Sequence, residues 1–600
     1  MSYSYPTVGA FYHNHACTFT VWAPTPGKVD LLIEGKLHSL KMDERGFWSA
    51  TLRNVNPGAK YVYVLDDEKK LPDPASRLQT DGVHGHSSVV DPVYTWNDHA
   101  WKGIQLGNMI IYELHVGTFT STSDFNGVIS RLDYLNELGV NAIELLPVAQ
   151  FPGSRNWGYD GVFPFAVQDS YGGPAGLKAL VDAAHAKGIA IILDVVYNHL
   201  GPEGNYLGEY APYFTDKHKT GWGKALNFDD AYCDGVRHYF WQNALMWLDE
   251  FHIDGLRLDA VHAIWDFSAK HFIDELSQKV QALEAKSGRK KVLVAEFDLN
   301  NPRYINPHPQ GGYALDGQWI DEYHHALHSV VTGEVDGYYE DFGTVDHLVR
   351  SLRDSYVYTG QYSKHRKKHF GIAPKDNSYD QFVVFAQNHD QVGNRMPGDR
   401  ITHHLTFEGL KMTAAAYILS PHVPMLFMGE EYGEKNPFQY FISHTDKDLV
   451  EAVRKGRKAE FSYFNWEGEV PDPQAEETFR ACILSWDYGN NNEQQTLLNF
   501  YKEIIAVKRE HPAFQDFARD TVTANVLNGR KAVTMEKRGG GRTLLLIINF
   551  EKSQIDYLAP GRYNVLVDSA SEKWRGPGAV EVQNGKLIVQ PESALLLEIK

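Results

Sequence analysis

Gly255-Leu256-Arg257-Leu258-Asp259-Ala260-Val261-His262 decides how the rest of this 600-residue chain is read. A short, mostly apolar run stops at an aspartate, as it does when a buried strand ends at a loop. Other segments repeat the pattern. Ile191-Ile192-Leu193 leads into Asp194-Val195-Val196-Tyr197-Asn198-His199, Val292-Leu293-Val294-Ala295 into Glu296, and Phe382-Val383-Val384-Phe385-Ala386 into Gln387-Asn388-His389-Asp390. A single strand-end carboxylate is more often a helix cap than a catalyst. Capping does not account for Arg257, His199 and His389 arriving beside the acids.

Outward from these segments, short apolar runs at 109–115, 141–147, 189–196, 255–259, 292–296, 382–386 and 423–428 alternate with amphipathic stretches such as 176–187, 236–251 and 272–283. That alternation predicts parallel βα units closing into a (β/α)₈ TIM-type barrel. Closure requires one more strand, for which 317–320 is a weak candidate. Before the barrel, Phe19-Thr20-Val21-Trp22 and Tyr61-Val62-Tyr63-Val64-Leu65, with Pro26-Gly27 and Pro57-Gly58 between them, predict an N-terminal β-sandwich. After a helix at 497–508, strand runs at 543–550 and 586–600 predict a C-terminal β-sandwich. The expected division is 1–95, like a carbohydrate-binding module, then 96–517 for the catalytic barrel and 518–600 for the last sandwich.

Composition narrows the chemistry. A net charge of −18 opposes a nucleic-acid partner, because affinity for phosphates comes from Lys and Arg. The basic run at 364–369 is short and isolated, and reads as a solvated loop. Aromatic residues make up 13% of the chain, more than cores alone require, which suits stacking on the apolar faces of sugars. The three cysteines are far apart and odd in number, so reduced thiols and a cytoplasmic location are expected. No basic-then-apolar leader opens the sequence, and no run approaches the ~18 apolar residues of a membrane span. Phosphate-loop, Gly-x-Ser-x-Gly and His-Glu-x-x-His signatures are lacking. His324, His325 and His328 could share a helical face, but no thiolates accompany them as a structural zinc site would need.

Convergent carboxylates with His and Arg, in an acidic, aromatic-rich chain, suit glycosidic bond cleavage, where one acid attacks or stabilises the anomeric carbon and another protonates the leaving oxygen. In order and spacing, the motifs around Asp194, Asp259, Glu296 and Asp390 resemble the conserved regions of the α-amylase superfamily. The resemblance implies a retaining double displacement with Asp259 as nucleophile, Glu296 as acid/base and Asp390 as the third carboxylate, gripping sugar hydroxyls. Arg257, two residues before the nucleophile and on the same side of the strand, would keep Asp259 ionised. His199 and His389 would bond hydroxyls. Tyr159, in Trp157-Gly158-Tyr159-Asp160-Gly161, would stack beneath the sugar. Trp157, Asp160 and His262 complete the expected substrate-binding set, while Asp194 is expected to orient Arg257. One departure is Phe297, a bulky ring where the superfamily usually has a small hydroxyl residue after the acid.

Further segments resemble the maltooligosyltrehalose trehalohydrolase family within that superfamily. They are Pro72-Asp73-Pro74-Ala75-Ser76-Arg77, Asp81-Gly82-Val83-His84-Gly85, the 387–394 segment, Met428-Gly429-Glu430-Glu431-Tyr432-Gly433 and Trp466-Glu467-Gly468-Glu469-Val470-Pro471-Asp472-Pro473. That family implies cleavage of the α-1,4 bond next to a terminal trehalose, releasing trehalose and a maltooligosaccharide. It implies maltooligosyltrehalose, an α-1,4-glucan oligosaccharide, as substrate and maltooligosyltrehalose synthase as pathway partner. No cofactor and no metal are implied. The alternatives are a glycogen branching or debranching enzyme of the same superfamily, and a glucan-binding protein without catalysis. The last predicts loss of a carboxylate, yet Asp259, Glu296 and Asp390 are all present.

Overall fold

Parallel strands close on themselves at the centre of the computed structural model, which describes residues 5–461, 470–527 and 529–600. The barrel strands are β1 (Ile111–Leu114), β2 (Ala142–Leu145), β3 (Ala190–Val195), β4 (Gly255–Leu258), β5 (Val292–Ala295), β6 (Gly317–Trp319), β7 (Phe382–Val384) and β8 (Val423–Phe427). Each apolar run read from the sequence supplies one of them, and the weak run at 317–320 supplies β6. It closes the barrel with few residues, pairing Gly317 with Val294 on one side and Trp319 with Val383 on the other. Register sets the height at which each strand ends. Leu258 pairs with Ala295, so the chain leaves β4 and β5 at the same level, and Asp259 and Glu296 emerge side by side.

The helices between strands begin and end as their sequences dictate. The expected 176–187 helix spans Gly173–Ala186, with Pro174 in the first turn, where a missing N–H costs nothing. The 272–283 helix runs farther, Phe272–Ser287, and stops at Gly288, whose φ of +64° suits only a glycine well. The expected 236–251 helix is α-helical over Cys233–Leu245 and then widens into a π-turn over Met246–Glu250.

Ahead of the barrel lie two antiparallel sheets. One carries Ala16–Trp22 and Phe47–Arg53, the other Val29–Ile33 and Lys60–Leu65. They face each other, with the Phe19 and Tyr61 rings 4.9 Å apart. After the barrel, the sheet holding Ala532–Gly539, Arg542–Asn549 and Ser593–Ile599 packs Leu545, Ile547 and Leu597 against Ile555, Leu587 and Val589 of a smaller one. The 586–600 run is therefore two strands, Lys586–Val589 and Ser593–Ile599, divided between these sheets. One large apolar cluster extends from Val8 to Leu596, while Ile111, Ile192, Val294 and Phe385 form a separate core inside the barrel.

The Pro72–Arg77 segment is the seam between the first sheets and the barrel. Tyr210 and Tyr239 donate to the carbonyls of Pro72 and Pro74 at 2.8 and 2.7 Å, and Arg77 pairs with Glu250 at 2.7 Å. Cys17 and Cys482 are buried free thiols and Cys233 is half-buried. No helix among the described residues is long and apolar enough to cross a membrane.

Candidate active site

Strand ends at the C-terminal rim of such barrels are where catalytic groups gather, and the guanidinium of Arg257 is the hub here. It is fully buried on β4. Nη1 donates to Asp194 Oδ2 at 2.7 Å and to Asp259 Oδ1 at 2.8 Å, while Nη2 lies 3.5 Å from Glu296 Oε2. The Trp319 ring of β6 covers it, with its centroid 4.4 Å from Cζ. One cation thus gathers acids from β3, β4 and β5.

Glu296 Oε2 also accepts from the backbone N–H of Ala260 at 2.7 Å. Ala260 holds φ at +39°, a left-handed conformation that is strained for a residue with a Cβ. The turn after Asp259 is thereby bent toward the neighbouring acid. Burial is the main influence on the Glu296 carboxyl; Arg257 opposes it, Asp259 adds to it, and the group is pushed up to about 8. Asp194, also chiefly through burial, is raised to about 6. Phe297 is buried against Tyr304, with ring centroids 4.5 Å apart.

A second set of groups comes from the loops after β2 and β7. Gly158 has φ +111°, and a Cβ there would meet the Pro147 carbonyl at 2.2 Å, so only glycine lets the Trp157–Gly161 turn lie against β2. That turn delivers Tyr159, whose hydroxyl donates to Asp194 at 2.6 Å and lies 2.8 Å from His389 Nε2. The Tyr159 and His389 rings stack at 5.2 Å. His389 Nδ1 bonds Glu113 of β1 at 2.6 Å, and its backbone N–H bonds the same carboxylate at 2.9 Å. Burial disfavours charge on this imidazole, but Asp390 and Glu113 outweigh it and raise His389 to about 9. A continuous relay therefore runs Glu113–His389–Tyr159–Asp194–Arg257. Asp390 sits at its edge, with Oδ2 3.5 Å from His389 Nε2 and its side chain 43% exposed.

The remaining expected residues separate. His199 Nε2 bonds the Tyr159 carbonyl at 3.0 Å, and its ring stacks on Trp222 at 5.1 Å. Asp160 accepts from Asn156 at 2.7 Å. Trp157 is only 4% exposed, stacked on Phe438 and set edge-on to His389, so it braces the imidazole and offers little surface to a ligand. His262 is half-buried on the turn after Asp259. His324 spends both ring nitrogens on Ala386 and Tyr339, and His328 Nε2 bonds Glu334. No group of His, Cys, Asp and Glu suited to a metal ion occurs among the described residues.

Glu113, Glu144, Trp319 and Asp321 escaped the sequence reading. Glu113 and Glu144 pair across β1 and β2. Burial drives Glu144 well above the usual carboxyl range, with Glu113 adding to it. Asp321, just past β6, is raised to about 7 by burial and then by Asp298 and Asp390. The detectable signal was a glutamate inside an otherwise apolar run, as in Ile111-Tyr112-Glu113-Leu114 and Ala142-Ile143-Glu144-Leu145.

The other motifs assemble around the rim. His84 reaches Tyr206 at 2.7 Å and Glu203 at 3.3 Å, and Glu203 also binds His444 at 3.0 Å, which joins the 81–85 segment to the loops after β3 and β8. Glu430 and Glu431 are buried behind β8 among Tyr417, Tyr501, Tyr112 and Tyr134. Of Trp466–Pro473, residues 466–469 lie outside the described residues; Asp472 pairs with Arg454 at 2.6 Å.

Comparison with known proteins bears on this geometry. The α-amylase catalytic-domain model matches residues 100–222. A malto-oligosyltrehalose trehalohydrolase of Saccharolobus solfataricus is 47% identical over 84% of this chain and 87% of its own length. Another from Rhizobium sp. is 44% identical over 82% and 85%. The crystal structure of a Salmonella typhimurium protein assigned as an alpha amylase superposes with a TM-score of 0.90 at 37% identity, covering 99% of this chain and all of that one. At this identity and coverage, the chain belongs to the malto-oligosyltrehalose trehalohydrolases, glycoside hydrolases of the α-amylase superfamily.

Proposed function

We infer that the chain hydrolyses the α-1,4-glucosidic bond next to the terminal trehalose of maltooligosyltrehalose, releasing trehalose and a maltooligosaccharide. The bond breaks with retention. Glu296, as the carboxylic acid, gives its proton to the glycosidic oxygen while the Asp259 carboxylate attacks the anomeric carbon, and trehalose leaves. The maltooligosyl ester on Asp259 is then attacked by water, whose proton returns to Glu296. Asp390 takes sugar hydroxyls at the open edge of the cleft. Arg257 and the relay through Tyr159 and His389 hold the acids in place. The three carboxylates are intact, which opposes the non-catalytic reading, and the 40–47% identity to trehalohydrolases favours trehalose release over branching.

The observation that carries the reading is the Arg257 fork, which brings Asp259 to 2.8 Å and Glu296 to 3.5 Å of one guanidinium at the ends of adjacent strands. Such a placement serves one acid that attacks and another that protonates. The buried thiols are consistent with a reducing cytoplasm. A maltooligosyltrehalose-forming synthase is the reaction partner that this substrate requires.

Incubation with maltotriosyltrehalose, followed by chromatography, tests the inference. Trehalose and maltotriose are expected, and Asp259→Asn is expected to lower turnover on the order of 10⁴-fold. Branched products from amylose, or full turnover by Asp259→Asn, would overturn it.

A further inference from the structure

Beyond the nucleophile, the chain makes a short turn over Val261–Ala263 and then presents aromatic rings to solvent. Trp265 is 38% exposed and Phe267 72%. Isolated exposed apolar residues need no explanation, but these are organised. The Trp265 and Phe267 rings are near-parallel at 6.3 Å, and His218, from the Phe214–Thr220 strand, stacks on Trp265 at 5.7 Å. Asp229 locks the array from below, accepting from His218 Nε2 at 3.2 Å, from the Phe267 backbone N–H at 3.1 Å and from Lys217 at 3.1 Å. The Trp265 ring is thus held against Phe267 and His218, inclined by 27° and 18° to them, with Trp265 and Phe267 facing solvent.

Phe267 also forms a wall of a cavity of about 550 Å³ between the loops after β4 and β5, lined further by His271, Asp274, Arg303, His308 and Tyr313. That size falls within the roughly 300–1,000 Å³ of small-ligand sites. His271 and Tyr313 stack at 4.8 Å, with Arg303 over the tyrosine ring at 4.9 Å. His308 Nδ1 lies 2.9 Å from Asp274 Oδ1, and neither of its buried ring nitrogens has a hydrogen-bond partner among the described residues. Flat ring faces beside Arg, His and Asp are the two components that pyranose recognition needs: apolar surface for the C–H faces, and donors and acceptors for the hydroxyls. Asp266 and Asp274 on the rim, with the chain's net charge of −18, disfavour a polyanion.

We propose that the Trp265–Phe267–His218 array and the adjoining Arg303–His308–Tyr313 cavity form an accessory α-1,4-glucan-binding site, separate from the cleavage centre on the same rim of the barrel. This rests on the reading of the substrate as an α-glucan. It places a stretch of glucan outside the cleft, so it favours long chains over short ones and contributes nothing to the chemical step.

The test is native electrophoresis of the full chain in gels with and without soluble starch, alongside kinetics on short and long maltooligosyltrehaloses. For Trp265→Ala/Phe267→Ala, starch retardation is expected to weaken roughly tenfold, and KM for long substrates to rise by a similar factor. The melting temperature and both kcat and KM for maltotriosyltrehalose stay unchanged, and Trp265→Phe retains binding. Undiminished retardation of the double variant overturns the proposal, as does an equal loss on the short substrate, which would put these rings in the cleavage site. Retardation reads binding without turnover. A wild-type chain that is retarded but releases no trehalose would therefore refute the assigned activity and leave the accessory site standing.

Discussion

Arg257 binds Asp194 and Asp259 through one nitrogen and approaches Glu296 with another, so it separates the duties of acids that would otherwise repel one another. Asp259 receives the short charge-assisted hydrogen bond. Glu296 receives the longer contact and the burial, and burial prevails over Arg257 to push it up to about 8. A carboxyl raised in this way is protonated below that pH, the form that donates to a leaving oxygen. Proton loss as pH rises through about 8 removes the acid. The expected outcome is an alkaline limb in kcat/KM near pH 8, falling about tenfold per further pH unit, because kcat/KM reports the free enzyme's groups. Initial rates on maltotriosyltrehalose between pH 5 and 10 measure it (an assay range of roughly five units). A limb below pH 6 would show that the buried setting of Glu296 does not govern protonation of the leaving group.

At the scale of elements, the two ends of the barrel divide stability from chemistry. On the face opposite the acids, Asp98 accepts from His185 at 2.8 Å, from His252 at 2.8 Å and from Arg289 at 2.9 Å. It thereby clasps the segment entering the barrel to the helix before β3 and to the loops before β4 and β5. Burial opposes its charge, but Arg289, His185 and His252 together hold the carboxyl well below its usual range. Asp98→Asn leaves the Arg289 guanidinium without its carboxylate, and a loss of about 3 kcal/mol is expected from urea unfolding. Because the N-terminal end of such a barrel serves stability, kcat is expected to stay unchanged; a parallel fall in kcat would mean that the faces are coupled. The same division explains what the sequence made legible. At β4 and β5 a short apolar run meets a lone acid at the strand end, so Asp259 and Glu296 stood out. Glu113 and Glu144 point inward from within their strands, where the pattern registers only burial. β6 was faint because so few residues suffice once Val294 and Val383 supply its neighbours. Trp319, which covers Arg257, was hidden with it. Partners such as His389 and Glu113 are far apart in the chain, and no local pattern pairs them.

For the whole molecule, the buried carboxyls fall into two opposing groups, and their balance sets how stability varies with pH. Glu322, Glu430 and Glu431 are each raised to about 7, chiefly by burial, and Glu296 to about 8. A glutamate in the unfolded chain titrates near ~4.3. Between that value and about 7 the folded chain binds more protons than the unfolded one, so the stability these groups contribute is full in mild acid and is lost as pH rises. Asp399 runs the other way. Burial opposes its charge, but His404 and Arg395 lower it to about 2, and Asp98 is also depressed. The stability from these groups is full above ~4 and is lost as pH falls through their folded values. A net charge of −18 adds self-repulsion on the alkaline side. The two groups together place the stability maximum near pH 4–5 (roughly where both contributions are present), with a melting temperature that declines toward pH 8. Calorimetry across that range checks the wild type. Glu430→Gln/Glu431→Gln, which replaces two buried acids by neutral amides, is expected to flatten the decline. A melting temperature that rises steadily from pH 5 to 8 would mean that these carboxyls are ionised and satisfied inside the fold (a range of about three units around their folded values).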